Sequence, residues 1–404
     1  MIQHQLIEKL RGFTRPDELK RAGVYPYFRP IEENYDTEVV IHGRRVLMFG
    51  SNSYMGLATH PKVKEAAIKA VEQYGCSCSG SRFLNGTSKM HLELEEKLAA
   101  HVEKEAALLY TTGFQTNLGT VSALTGRSGV LFLDELDHAS IIEGSRLSFS
   151  RVIKFGHNDM ADLERKVAAV PMDTVKMIVI DGIFSMEGDI CDLPEIVRIA
   201  NKYHAQVMVD DAHSFGVLGK QGKGTADHFG LTNEVDLIMS TFSKSLASVG
   251  GFIASTKEVI NYLQHTSRPM IFSASMPPSA VGAAMAALEI IQNEPERLEQ
   301  LWSNTAYLQK GIAELGFDIN TSETPIIPIY IRDNDLTFAF TQKLFEAGIF
   351  VNPVVSPAVP SDSSLIRMSV MATHTKAQLD RVIDTLEQVG KELHVFQTAA
   401  VQHA

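Results

Sequence analysis

Two stretches of the chain end apolar runs on residues that can carry chemistry. In QVMVDDAHSFG the run stops at Asp210 and His213 follows three residues later; in DLIMSTFSKS it stops at Thr241, with Ser243 and Lys244 close behind. Asp210 and Lys244 are 244 − 210 = 34 residues apart. Both fall where open α/β sheets bind ligands, just past the carboxyl ends of strands. Singly each has an ordinary explanation: a turn cap, a satisfied loop histidine, a solvated lysine. Together they supply a carboxylate able to face a heteroaromatic ring nitrogen and a lysine able to form a Schiff base, the two protein groups that pyridoxal phosphate chemistry requires. A lysine displaced by an amino-acid substrate becomes an amine near enough to move the α-proton.

A phosphate also needs a seat. Thr111-Thr112-Gly113-Phe114-Gln115 follows a strand at the start of a helix, where backbone N–H groups and the positive helix end suit an anion. Thr241 and Ser243 add hydroxyl donors. Alone, TTGF reads equally as a cap. His138, at the end of GVLFLDELDHAS, has two readings of similar weight: a turn neighbour of a helix beginning near Ala139, or a ring stacked on a pyridine and acting as an acid near neutral pH. GVLGKQGKG at 216–224 does not satisfy GxxxxGK[ST], so a nucleotide P-loop is rejected. The histidines lack HExxH spacing, and no metal site is expected.

The elements that must position these residues follow from periodicity. Short apolar, β-branched runs at Ala107–Tyr110, Val130–Leu133, Val152–Phe155, Met177–Ile180, Val207–Val209, Leu237–Met239 and Phe252–Ala254 alternate with helical stretches such as Met90–Val102. That pattern predicts a largely parallel sheet covered by helices. Beyond Pro277-Pro278 a long helix leads into a smaller α+β region, with strands around Ile326–Ile331 and Ile366–Val370 and helices around Phe338–Ala347 and Lys376–Val389. At the other end, Ile2, Leu6, Leu10 and Phe13 recur at helical spacing. The expected role of that helix is an arm packed on its own protein or a partner subunit; peripheral membrane contact stays open.

Composition narrows the class. The 404 residues carry 37 Lys plus Arg against 48 Asp plus Glu, a formal charge of 37 − 48 = −11, which disfavours a nucleic-acid partner. Hydrophobic residues at 45% and charged residues at 21% fit a globular chain long enough for two or three domains. Three cysteines without a CxxC pair point to a reducing, cytoplasmic setting and not to a disulfide framework. No signal peptide or run of 18 apolar residues is seen.

At these residues the sequence resembles the α-oxoamine synthases, fold-type I pyridoxal phosphate enzymes that join an amino acid to an acyl-CoA with loss of carbon dioxide. Seven ordered blocks carry the resemblance over nearly the whole chain: SNSYMGL at 51–57, CSGSRFLNGT at 78–87, YTTGFQTNLG at 110–119, DELDHASIIEG at 134–144, DGIFSMEGDICDLPEI at 181–196, VDDAHSFGVLGKQGKG at 209–224 and TFSKSLASVGGFIAS at 241–255. SGSRFLNGT and TFSKSLASVGGFI look like the bacterial branch that condenses L-serine with palmitoyl-CoA to 3-oxosphinganine, CoA and carbon dioxide in sphingolipid synthesis.

The resemblance implies an α/β fold-type I transferase with an arm and segment over 1–56, a large cofactor domain over 57–285 and a small α+β domain over 286–404. It implies pyridoxal 5′-phosphate as cofactor, with Lys244 as the Schiff-base lysine and Asp210 as partner of the pyridine nitrogen. His213 and Ser185 would meet the ring oxygen, and His138 would stack on the ring. Gly113, Phe114, Thr241 and Ser243 would hold the phosphate, joined by Ser273 and Ala274 from the other subunit of a homodimer. Asn52, Ser81 and Arg367 would bind the substrate carboxylate, Arg367 through a bidentate guanidinium. The alternatives are relatives using glycine or alanine, such as 2-amino-3-oxobutyrate CoA ligase or 8-amino-7-oxononanoate synthase, and a silent partner subunit. Retention of Lys244, Asp210, His213 and His138 together argues against the last.

Overall fold

Strands made mostly of apolar residues must be covered on both faces, and the inner strands of the central sheet are built that way. In the computed structural model, which describes residues 5–320, 322–356 and 358–396, fourteen strands appear in chain order. An N-terminal group comprises β1 (Glu33–Asn34), β2 (Glu38–Ile41) and β3 (Arg44–Met48). The central group comprises β4 (Ala106–Tyr110), β5 (Val130–Asp134), β6 (Arg151–Phe155), β7 (Lys176–Asp181), β8 (Gln206–Asp210), β9 (Leu237–Thr241) and β10 (Gly251–Ser255). A C-terminal group comprises β11 (Ile326–Tyr330), β12 (Ile349–Phe350), β13 (Asn352–Val354) and β14 (Leu365–Ser369).

The seven central strands form one sheet in the order β4-β10-β9-β8-β7-β5-β6. Strands β5 to β9 pair in parallel, while β10 runs antiparallel to both β9 and β4. Strands β5, β7, β9 and β10 are buried along their whole length. All seven central strands expected from the sequence are present, so the α/β reading and its sheet hold. The parallel strands deliver Asp134, Asp181, Asp210 and Thr241 to one edge, and β4 brings Tyr110 beside Gly251 at the same edge.

The remaining strands build the second unit. Strands β11, β14 and β13 form an antiparallel sheet, and β12 pairs in parallel with β3, so the N-terminal hairpin is joined to the C-terminal region. The sequence reading assigns no strand before residue 57, yet β2 and β3 form a hairpin there. Its turn is His42–Gly43, both with positive φ, between Ile41 and Arg44 in register. Such a two-residue turn suits the twist of paired strands. The strands are short and half-covered, which leaves a weak apolar pattern.

The helix Gln5–Arg11 is present, but its apolar side chains do not pack on this chain: Leu6, Leu10 and the following Phe13 are 64%, 59% and 73% exposed. Ile2 lies outside the described residues. Among the described residues no helix is long and apolar enough to cross a membrane.

Candidate active site

A cavity of about 350 Å³ opens at the carboxyl edge of the central sheet. Its floor and walls include Asp210, His213, Lys244, His138 and Ser185, and its far end is made by Gly113, Phe114, Thr241 and Ser243. Nine predicted residues from five separate chain segments are thus brought together. The geometry of the strands does this, because each residue lies within a few positions of a strand's end.

Lys244 follows β9 in a tight turn, and burial lowers its amine pKa to about 8 even though Asp210 and Asp181 pull the other way. An amine poised there is partly neutral near physiological pH and can act as nucleophile or base. Asp210 is 2% exposed. Its Oδ1 accepts the Ala212 N–H at 2.9 Å and its Oδ2 accepts from Asn117 Nδ2 at 2.6 Å, so the carboxylate is held in one orientation.

That amide extends further. Asn117 Nδ2 also donates to Ser140 Oγ at 2.8 Å, which leaves the Ser140 hydroxyl hydrogen for His138 Nδ1, 2.7 Å away. The Ser140 backbone N–H donates to the same nitrogen at 3.2 Å. Two donors on Nδ1 fix the neutral tautomer, with its proton on Nε2. Burial keeps this imidazole's pKa below the usual histidine value, against the pull of Asp210. The ring caps the helix Ala139–Ser148 through Nδ1 and also lines the cavity.

His213 is similarly oriented. Its Nδ1 is 2.7 Å from the hydroxyl of Tyr54, a fully buried residue that also faces the Arg367 guanidinium. Burial and the charges of Lys244 and Arg367 hold His213 well below its ordinary pKa, so it is neutral.

The far end of the cavity has the chemistry of an anion cradle. The helix Gly113–Leu124 starts there, with Thr112 Oγ1 accepting the Gln115 N–H at 3.1 Å. The earlier N–H groups of that turn are free of intrahelical partners by geometry. A Cβ on Gly113 would lie 2.6 Å from Thr241 Cβ, so only glycine lets the helix start touch the end of β9. Thr241 Oγ1 and Ser243 Oγ lie 3.0 Å apart beside it. A carboxylate, an amine and an anion cradle around one cavity fit a phosphorylated pyridine aldehyde.

The other five predicted residues do not line this cavity. Arg367, at the middle of β14, is 6% exposed: Nε donates to the Ser185 carbonyl and one terminal nitrogen to Ser369 Oγ at 2.8 Å. Its charge still acts on Tyr54, His213 and Lys244. Asn52 lies two residues before Tyr54, and Ser81 in the turn after the helix Pro61–Tyr74; Asn52 Oδ1 and Ser81 Oγ are both buried without a hydrogen-bond partner. Ala274 and Ser273 sit behind the cradle, where the Ala274 carbonyl accepts from Thr111 Oγ1 and Ser273 Oγ from Gln115 Nε2 at 3.2 Å.

Tyr54, Asn117, Ser140 and Asp181 were not singled out by sequence reasoning. Asp181 lines the cavity and accepts the His138 backbone N–H at 2.7 Å. Burial, with Asp210 nearby, pushes its carboxyl pKa well above the usual range. The one available signal was position, since Asp181 ends β7 as Asp210 ends β8. Among the described residues no group of three or more His, Cys, Asp or Glu could hold a metal ion. A larger cavity, about 450 Å³, lies at the opposite end of the strands near Lys104 and Asp236, but it has no lysine–imidazole–acid set, and Lys104 is bonded to the carbonyls of Thr232 and Val235.

Comparison with known proteins agrees with this arrangement. Residues 44–386 match the family of class I and II aminotransferases. The chain is 57% identical to a serine palmitoyltransferase of Sphingobacterium spiritivorum, covering 98% of this chain and 99% of that one. It is 54% identical to a serine palmitoyltransferase of Bacteroides ovatus, over 97% and 99% of the two chains. A solved serine palmitoyltransferase structure with pyridoxal phosphate as an internal aldimine superposes with a TM-score of 0.95 at 34% identity, over 97% of this chain and all of that one. Fold, strand-end constellation and full-length similarity converge, and the chain belongs to the class I and II aminotransferases and, within them, to the serine palmitoyltransferase group of α-oxoamine synthases.

Proposed function

We propose that this chain catalyses the pyridoxal phosphate-dependent, decarboxylative condensation of L-serine with palmitoyl-CoA, yielding 3-oxosphinganine, CoA and carbon dioxide. The observation that carries the reading is the pairing of Lys244, its amine pKa near 8, with the oriented Asp210 carboxylate across one cavity that ends in an anion cradle.

Pyridoxal phosphate, when bound, supplies an electron-poor ring that accepts the electron pair left at the serine Cα. The residues do the rest. Asp210 holds the ring nitrogen's proton, and its two hydrogen bonds keep the carboxylate from turning away. The helix start at Gly113 and Phe114, with Thr241 and Ser243, binds the phosphate. His213 and Ser185 direct donors at the ring oxygen. Arg367, with Asn52 and Ser81, binds the serine carboxylate; the buried Ser81 hydroxyl has no partner of its own and so has a hydrogen free to donate to it. Lys244 takes the α-proton of serine. The Cα then bonds to the thioester carbonyl carbon as the C–S bond breaks and CoA leaves. The carboxylate departs as carbon dioxide, and a proton returns to Cα. The Nε2–H of His138 donates to the substrate carboxylate or the thioester oxygen through these changes.

The same reading includes a cytoplasmic homodimer in which Ser273 and Ala274 reach the partner's phosphate, and the large domain over 57–285 with the small one over 286–404. The exposed Leu6, Leu10 and Phe13 support contact of the N-terminal helix with a membrane surface or the partner subunit. The test is CoA release measured across serine, glycine, alanine and threonine with several acyl-CoA lengths. Serine with a long-chain acyl-CoA should give the fastest release. Faster turnover with glycine or alanine would move the chain to another branch of the family, and no turnover with any pair would make it a silent subunit.

A further inference from the structure

We propose that His157, outside the cavity, is a positioning residue for serine binding: its ring, hydrogen-bonded on both nitrogens between Asp134 and Asp189, pins the loop 182–190 and thereby sets the Arg367 guanidinium. This rests on Arg367 being the carboxylate clamp.

His157 lies two residues past β6. Its Nδ1 is 3.1 Å from Asp134 Oδ1 and its Nε2 2.8 Å from Asp189 Oδ2. Carboxylates on both sides require a hydrogen on both nitrogens, so the ring is a cation. Burial disfavours that charge, but the two hydrogen bonds prevail and raise the pKa to about 10. The ring also meets Phe184 edge-on, with centroids 4.4 Å apart.

One end of the clamp is rigid. Asp134 ends β5, is fully buried, and accepts the N–H groups of Leu136 and Asn158, each at 2.9 Å. The other end is the loop. Asp189 accepts from Asn158 Nδ2 at 3.0 Å, while its carbonyl accepts the Phe184 N–H at 3.0 Å, which folds 184–189 into a closed turn. Ser185, inside that turn, lines the cavity and holds Arg367 Nε with its carbonyl. Thr324 Oγ1 donates to the Gly188 carbonyl at 2.7 Å, tying the turn to the segment before β11. The loop therefore joins the end of the central sheet to β14, and His157 is its attachment on the sheet side.

Charge makes the attachment specific. The groups facing the ring are Asp134, Asp189 and Glu187, and Glu135 accepts the His157 backbone N–H at 3.2 Å. Without a cation at 157 these carboxylates repel one another across the joint, and Asp189 Oδ1 is already buried without a hydrogen-bond partner. Relaxation of Asp189 shifts the Ser185 carbonyl and with it the guanidinium.

The test compares two ligands on holoenzyme: serine, and ethanolamine, which is serine without its carboxylate, each titrated by the change in the cofactor's visible absorption. In His157→Gln the serine Kd should rise about tenfold, while the ethanolamine Kd and the cofactor content stay at wild-type values. His157→Arg, which keeps a cation with several donors, should restore most of the serine affinity, and Asp189→Asn should reproduce the loss. Equal weakening of both ligands, or a serine Kd within twofold of wild type, overturns the proposal. Arg367→Ala run in parallel separates the two ideas: if it weakens serine while His157→Gln does not, the pin fails and the clamp stands; if it leaves serine unaffected, both fall.

Discussion

Asn117 Nδ2 lies 2.6 Å from Asp210 Oδ2, and the same nitrogen reaches Ser140, which holds His138. One helix amide thus orients both the Asp210 carboxylate and, through Ser140, the His138 imidazole. Asn117→Leu removes a hydrogen bond to a charged group, a change that costs about 1.5 to 3 kcal/mol. Cofactor affinity and kcat should fall together, each by tenfold or more. Wild-type cofactor affinity in a correctly folded Asn117→Leu would show that the amide does not support Asp210.

The assignment of Lys244 predicts a protein that is yellow as purified and loses its visible absorption in Lys244→Ala. Borohydride reduction followed by peptide mapping should place the pyridoxyl group on Lys244. A label on any other lysine removes the basis of the site.

His138 serves two structures, so its removal should have two separable effects. Loss of the helix cap in His138→Ala should reduce stability by about 1 kcal/mol. Cofactor and serine should still bind, yet ketone formation should drop severely, because the Nε2–H is the group lost from the reaction. Steady-state CoA release paired with α-deuterium exchange of serine measures this. Normal rates in both assays would leave His138 as a cap alone.

His374 offers a pH test. It stacks on Phe49 with centroids 4.1 Å apart, accepts the Met371 N–H on Nδ1 at 3.0 Å, and donates Nε2–H to the Met48 carbonyl at 3.2 Å. Burial lowers its pKa from 6.5 to about 4. Between those values the unfolded chain binds a proton that the folded one refuses, so the contribution is fully present above pH 6.5 and is lost as pH falls toward 4. The stability difference between wild type and His374→Asn should shrink by about 3 kcal/mol over that window, followed by urea unfolding at a series of pH values. Parallel curves would show that the ring titrates normally.

Much of this protein is legible in its sequence. The inner strands of the central sheet stand out as apolar runs because a sheet buried on both faces tolerates little else, and the edge strand β6 shows a weaker run for the same reason. Asp210, Thr241, Ser243 and Lys244 were read as a site because they stand directly past those runs. The closeness of Asp210 to Lys244 follows from β8 and β9 being paired neighbours. The family resemblance supplied roles for Ser185 and Arg367 that periodicity alone does not reveal.

What the sequence could not specify were partners distant along the chain. Tyr54 meets His213 across 159 positions, and Asn117 meets Asp210 across 93. Neither pair has a local pattern, since side-chain periodicity reports which face is buried and not what a polar atom finds there. The sequence determined which residue types stand at the sheet's carboxyl edge and the fold that carries them. Only the tertiary structure decided that His138 caps its helix and faces the cavity at once, that Arg367 is buried against the Ser185 carbonyl, and that His157 joins Asp134 to Asp189. Buried polar groups must satisfy one another in three dimensions, and those pairings exist only after the strands and loops have been brought together.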